Sequence, residues 1–272
     1  MPTAGSDLFD LFDLPSRDGL HRLTLRDGRG AICKRRRAMP ADFFAAEVCG
    51  LEALCAAGGL RVPQVYAQGE DWLLLEDLGT AAPHPHFASV AGEGLARQHR
   101  VRGGSFGFGH HGYIGDSPQD NRADSDGHRF FVERRLRPQA ERALRNAALA
   151  PADMARLERL YARLPQLIPA QPPVLLHGDL WQGNLHCAGD GLPALIDAGA
   201  AHYGWAEAEL AMLTLFGEPD PQLLRSYAEH APLANDWRER APLYNLYHLL
   251  NHLNLFGGGY AAQVERVLSR FG

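Results

Sequence analysis

The chain has 272 residues, a net charge of −5 and 46% hydrophobic residues. That length allows one large domain or two modest ones, and a core covering roughly 70–75% of the unfolded surface forms without staples. The acidic balance excludes a general nucleic-acid binder. No apolar run approaches the ~20 residues of a membrane span. Cys33, Cys49, Cys55 and Cys187 form no CxxC pair, which argues against a zinc ribbon or a disulfide framework. The start, MPTAGSDLFDLFDL, is acidic and lacks a basic n-region, so no secretory signal is expected and the cytoplasm is the expected location.

In chain order, LHRLTLRD and GAICK read as two strands joined by a turn at Asp27-Gly28. Residues 41–58 have helical periodicity, with Phe44, Val48, Leu51, Leu54 and Cys55 on one face and Gly58-Gly59 as a stop. RVPQVYAQG and DWLLLEDLG read as a second strand pair. After Gly79 the pattern turns mainly helical, over about 88–102, 129–147 and 151–166. SFGFGHHGYIGDSPQDN, between the first two, reads as a long ordered loop. PPVLLHGD reads as a strand entering a loop and LHCAGDGLPALID as a hairpin. Helices follow at about 206–216, 220–230, 236–256 and 258–271. This predicts an α+β chain: a small sheet unit with one helix over 1–78, then a larger helical unit over 79–272. A shared site belongs at their junction, near Glu76 to Gly79.

Among 27 basic residues only Lys34 is a lysine. A lone ammonium in an arginine-rich chain suggests a place for a compact point charge rather than a planar fork. The cluster Lys34-Arg35-Arg36-Arg37 otherwise reads as a solvated strand end, a phosphate patch being the alternative.

His177-Gly178-Asp179, with Asn184 five residues after the Asp, has the spacing of a kinase catalytic loop. Asp179 is placed to accept the proton of an attacking hydroxyl, and Asn184 to hold Mg²⁺. Asp197, 18 residues after Asp179 at the end of ALID, supplies the second oxygen ligand such a cation requires. Lys34 ends its strand where a kinase keeps its phosphate-binding lysine, and Glu47 on the next helix is its expected ion-pair partner. Glu76 and Leu78 fall in a hinge whose backbone would meet an adenine edge. The weak part is the phosphate loop: only LPSRDG precedes the hairpin, with no GxGxxG.

LLHGDLWQGN, IDAGAAHYGWAEAELAMLTLFG, FGFGHHGYIGDSPQDN and YHLLNHLNLFGGGY together resemble the fructosamine/ketosamine kinase family, a branch of the aminoglycoside-phosphotransferase-type kinases. The resemblance covers about residues 20–272. It implies a bilobal protein-kinase-like fold, use of ATP and Mg²⁺, and phosphorylation of the C3 hydroxyl of free or protein-borne ketosamines, a deglycation repair. It also implies Asp179 as base, Asn184 and Asp197 as metal ligands, and Lys34 with Glu47 at the phosphates. The chain departs from the family in a shorter N-terminal stretch, in PSRDG where a Gly-Gly-Ser-like loop is usual, and in Asp197-Ala198-Gly199 where the family has D-P-A. The first two put nucleotide affinity in question. A monomer is expected, a dimer being the alternative.

A cationic secondary amine with hydroxyls suits aromatic faces and carboxylates. Trp181, Tyr203 and Glu207 follow the catalytic elements and are the substrate-binding candidates, with His202 as a further one; packing under the loop is the alternative for Trp181 and Tyr203. Glu209 reads as a structural hydrogen-bonding group. Rival readings are an aminoglycoside- or choline-type kinase, kept open by four Asp in 116–126, and a nucleotide-binding pseudokinase. A metalloenzyme reading of His248, His252 and His110-His111 lacks an HExxH glutamate and a third ligand.

Overall fold

The computed structural model describes residues 12–272, so most of the acidic start read above lies outside the described residues. Strands β1 (Gly19–Thr24) and β2 (Gly30–Arg35) form a hairpin. Its turn closes through Asp27, whose carboxylate accepts the Arg29 amide, while Gly28 takes a positive φ of 89°. Helix α1 (Phe43–Ala57) follows, then β3 (Val65–Gln68) and β4 (Trp72–Glu76). The antiparallel sheet runs β1-β2-β4-β3.

Alternation along β4 divides the packing. Leu73 and Leu75 join Phe44, Val48, Leu51 and Leu54 of α1 in the main core. Trp72 and Leu74 meet Phe12, Leu25, Ala31 and Cys33 on the opposite face. Cys55, expected on the buried face of α1, is exposed. It is adjacent to Leu54, and one residue of helix turns a side chain by about 100°, past the edge of the apolar stripe.

The second unit begins with α2 (Phe87–Gln98) and then a surprise: the expected loop contains a hairpin, β5 (Gly112–Ile114) with β6 (Ser117–Gln119), turning at Gly115. Three-residue strands are too short for alternation to reveal. Helix α3 (Gly127–Phe131) continues through a π-helical turn (Val132–Leu136) into α4 (Arg137–Arg145). The π-turn places buried Arg135 over the Phe130 ring at 4.5 Å, donating to Asp120 O and Asn121 Oδ1, each at 2.6 Å. That anchors the loop leaving β6.

Helix α5 (Pro151–Leu167) leads to β7 (Val174–Leu176), the hairpin β8 (Leu185–Cys187) and β9 (Pro193–Leu195), and β10 (His202–Gly204), which pairs with β7. Helices α6 (Ala206–Leu213), α7 (Pro221–His230), α8 (Trp237–Phe256) and α9 (Tyr260–Phe271) complete the chain. This is the expected α+β, protein-kinase-like architecture: a small antiparallel sheet with one helix, and a larger mainly helical part. Among the described residues no helix is long and apolar enough to cross a membrane.

Two polar contacts tie the parts together on one side. Tyr113 donates to Asp42 Oδ1 at 2.5 Å, and Arg36 reaches Asp116 in the β5–β6 turn at 2.7 Å. The other members of the basic cluster go elsewhere: Arg35 pairs with Asp71, Arg37 sits near Asp18, and Lys34 points into the cleft.

Candidate active site

Lys34, one residue before the end of β2, turns its side chain toward α1, where Glu47 accepts at 2.5 Å. Its ammonium also donates to Asp197 Oδ1. Burial works against this charge, but Glu47 and Asp197 outweigh it and hold the ammonium above its ordinary pKa. Gly50 makes the approach possible. A Cβ there would lie 2.0 Å from Ala198 O, so only glycine lets α1 dock on the turn that follows Asp197. Asp197 itself has φ 62° and ψ 53°, a left-handed conformation that Asp tolerates better than most residues.

The 177–184 loop is pinned from below. His177 is fully buried; its Nε2 meets Ile196 O at 2.8 Å, and its Nδ1 accepts the Asp179 amide at 3.3 Å. Gly178 takes φ 85°, and a Cβ there would strike Ala200 O at 2.1 Å. Its amide donates to Glu209 Oε1 at 2.9 Å, while Glu209 Oε2 accepts from Gln98 and meets His99 Nε2, both at 3.0 Å. Asn184 Nδ2 donates to Asp179 O at 2.8 Å, which folds the loop back on itself. Burial and the nearby Asp197 charge push Asp179 up to about 7.

Asp179 stands between two cavities. One, of about 420 Å³, is lined by Lys34, Glu47, Asp179, Asn184 and Asp197. The expected quintet from two distant stretches of chain therefore shares one space. The other, of about 390 Å³, lies beyond Asp179 and shares Trp181 with the first. Trp181 is 39% exposed, its ring edge-on to Phe216 at 5.8 Å. It is a cleft residue, not packing beneath the loop.

The hinge candidates contribute differently. The Glu76 side chain is engaged by Arg61 at 2.6 Å and by the Gln64 amide at 3.2 Å. Leu78 packs with Ala188, Ala194 and Ile196, and its carbonyl accepts from Gly189. Neither side chain lines the 420 Å³ cavity.

Three substrate candidates are not brought to the cleft. His202 is buried, its Nδ1 against Ala200 O at 2.9 Å, because β10 pairs with β7 and directs this side chain inward. Tyr203 is held in the same pairing and by backbone bonds with Gly107, its ring facing Phe108. Glu207 is buried in a bidentate pair with Arg240, both contacts 2.8 Å, with Tyr244 donating at 2.9 Å.

One neighbour was not singled out as a site residue. His248 Nδ1 lies 4.0 Å from Asp179 Oδ1, buried and without a hydrogen-bond partner. Burial, with His252 and Arg135 adding to it, pushes this imidazole down to about 3, so it is neutral. No signal in the sequence separates it from an ordinary helix histidine. Among the described residues no group of three or more His, Cys, Asp or Glu is arranged to hold a metal ion.

The chain matches the fructosamine kinase family over residues 23–271. A Synechocystis protein named a probable ketoamine kinase is 35% identical, over 87% of this chain and 81% of its own. The Arabidopsis thaliana protein-ribulosamine 3-kinase is 30% identical, over 90% of this chain and 77% of its own. A Thermobifida fusca crystal structure assigned to a fructosamine-3-kinase is 34% identical and superposes with a TM-score of 0.87, covering 98% of this chain and 97% of that one. A match that spans nearly the whole sequence makes this chain a member of the fructosamine kinase family, an ATP-dependent phosphotransferase acting on a sugar hydroxyl.

Proposed function

We propose that this enzyme phosphorylates the C3 hydroxyl of ketosamines such as ribulosamines and fructosamines, free or on protein, as a deglycation repair. Of the two units expected over 1–78 and 79–272, the described residues 12–78 serve as the nucleotide-binding lobe and 79–272 as the catalytic and substrate lobe. The observation that carries the reading is the meeting of Lys34, Glu47, Asp179, Asn184 and Asp197 around one cavity that shares Asp179 and Trp181 with a second.

The donor set fits ATP with Mg²⁺. Asn184 uses its amide nitrogen on Asp179 O, and among the described residues no donor engages its Oδ1. Asp197 is half exposed, with Lys34 on one oxygen only. Hard cations take such oxygens together with water and phosphate. Asn184 and Asp197 would hold the ion, and bound ATP·Mg²⁺ supplies the γ-phosphoryl group with its charge screened.

Within the chain, Glu47 keeps the Lys34 ammonium extended into the cleft, where a phosphate can replace Asp197 as its second partner. The backbone of Glu76 to Leu78 meets the adenine edge; among the described residues the Leu78 amide donates to no protein acceptor. Asp179 accepts the proton of the sugar hydroxyl and aims its oxygen. An Asp raised to about 7 is a better proton acceptor than an ordinary carboxylate. Trp181 offers a ring face to the acceptor beside that carboxylate.

The deciding experiment is a coupled ADP-release assay on ribulose-, erythrulose- and fructose-derived ketosamines, with choline and kanamycin as controls. Turnover of a ketosamine with none on the controls is the expected result. Turnover confined to a control would overturn the substrate while leaving the kinase.

A further inference from the structure

Strand alternation divides the run Lys34-Arg35-Arg36-Arg37. Arg35 and Arg37 turn to one face, where they hold Asp71, Asp18 and the carbonyls of Pro15 and Ser16. Lys34 and Arg36 turn to the other and line the 420 Å³ cavity. The alternation continues past the end of β2, because the Arg36 amide still donates to Asp71 O at 2.9 Å. Among the described residues these two are the only cations on the cavity wall, against the carboxylates of Asp18, Glu47, Asp179 and Asp197. Lys34 is already shared by two of those carboxylates. A polyphosphate entering this space needs a second cation.

The stretch before β1 does not supply the missing charge. A glycine-rich loop holds phosphates through its backbone amides. Here Leu14-Pro15-Ser16-Arg17-Asp18-Gly19 stands in that place. Pro15 has no amide hydrogen, and Asp18 brings a charge of the wrong sign to the wall.

Position along β2 decides which phosphate each cation meets. Ala31 pairs with Glu76 at the hinge end of the strand. At about 3.3 Å per residue, Lys34 stands roughly 10 Å and Arg36 roughly 17 Å beyond that point. Phosphates extend away from the adenine, so the farther cation is at the terminal one. Arg36 is also on the acceptor side. Its guanidinium lies 5.5 Å from the Phe43 ring centre and meets Asp116 Oδ1 at 2.7 Å. Gly115, next to Asp116, lines both this cavity and the one beyond Asp179. The Arg36 and Asp116 side chains are 43% and 53% exposed, and so exposed a pair exchanges readily for a stronger partner.

We propose that Arg36 is the second phosphate-binding cation of this enzyme, leaving Asp116 for the terminal phosphate of ATP and serving where no GxGxxG loop does. Asp116 holds the guanidinium before the nucleotide arrives, so carboxylate and phosphate compete for one group. The assignment rests on placing ATP in the 420 Å³ cavity and goes beyond that reading by naming the residue that meets its far end.

The test is isothermal titration of the full chain with Mg·ATP and, separately, with AMP. The variants are Arg36→Gln, Asp116→Asn and, as a control on the cavity itself, Asp197→Asn. Loss of a charge-assisted bond to phosphate should weaken Mg·ATP about tenfold or more in Arg36→Gln. AMP, which lacks the terminal phosphates, should bind that variant within twofold of the wild type. Asp116→Asn removes the competitor and should tighten Mg·ATP about two- to fivefold. The opposite signs are the signature, since a bridge that served only the fold would suffer alike from either change. Equal weakening in Arg36→Gln and Asp116→Asn overturns the proposal. Wild-type affinity in Arg36→Gln with weaker binding in Asp197→Asn overturns the role of Arg36 alone. Wild-type affinity in both Arg36→Gln and Asp197→Asn overturns it together with the placement of ATP in this cavity.

Discussion

The two walls that meet at Asp179 are built on opposite principles. On the wall facing the small sheet, charge is met by charge: Lys34 is shared by Glu47 and Asp197, and Arg36 is taken by Asp116. On the wall facing α8, polar atoms are left without partners, and the surface around them is aromatic. The contrast fits what each side receives. A charged wall must remain folded before its ligand arrives, so its charges neutralise one another and exchange partners later. A wall of neutral groups needs no counter-charge, and each polar atom left unpaired on it costs about 1–3 kcal/mol.

The largest effect is expected where the walls join. Asp179→Asn keeps shape and removes the proton acceptor, so phosphoryl transfer should fall about 10²–10⁴-fold with melting temperature preserved. Near-normal turnover in that variant would break the assignment of base. On the charged wall, Lys34→Met leaves buried Glu47 without its cation. A stranded buried charge costs about 3–5 kcal/mol, so denaturant midpoint and phosphoryl transfer should fall together. Beneath both walls, Glu209→Ala strands the Gly178 amide, Gln98 and His99, with a loss of similar size readable by urea titration.

Titration gives a smaller and more pointed test. The folded Asp179 holds its proton up to about 7, against an ordinary value of 3.8. The native state therefore binds more protons than the unfolded state between those values, and this group's contribution to stability is lost as pH rises through that window. Asp179→Asn should remove that component of the pH slope. In the wild type, kcat/KM, which reports the free enzyme, should rise with pH through about 7. A kcat/KM profile flat from pH 5 to 8 would remove the raised carboxyl from the account. The smallest effects sharpen the contrast between the walls. Arg36→Ala breaks an exposed ion pair worth about 0–1 kcal/mol. Asn251→Leu removes an unpaired carbonyl oxygen but also the Nδ2 donor to Ile114 O, so the net change in stability should be about 1 kcal/mol.

Much of the charged wall was legible in the sequence because its parts are local. The 177–184 loop carries its own geometry, and Lys34 was conspicuous as a lone lysine followed by a helix with Glu47 at a fitting distance. The aromatic wall was not legible. Phe216, Phe256 and Tyr260 lie 37, 77 and 81 residues from Asp179, as residue numbers give, and nothing local in the sequence links them to it. Phe216 follows α6, Phe256 ends α8 and Tyr260 begins α9, so only tertiary packing brings the three together. Glu207 and Glu209 make the same point over a shorter interval. Two residues of helix turn a side chain by about 200°, so one carboxylate faces Arg240 of α8 and the other faces the catalytic loop. The order of the elements carries the family resemblance but not that rotation.

By itself the sequence determined the order of the larger elements, though not the short strands β5, β6 and β10, together with the Asp–Asn loop, its following Asp197 and the lysine that faces them. These follow from periodicity, turn chemistry and spacing, all short-range. Tertiary structure alone decided which side chains line the cavity beyond Asp179: it drew His202, Tyr203 and Glu207 into packing and brought Asn251, His252 and three rings to that cavity. Strand pairing and helix rotation fix such choices, and both depend on surfaces that meet only after the chain has folded.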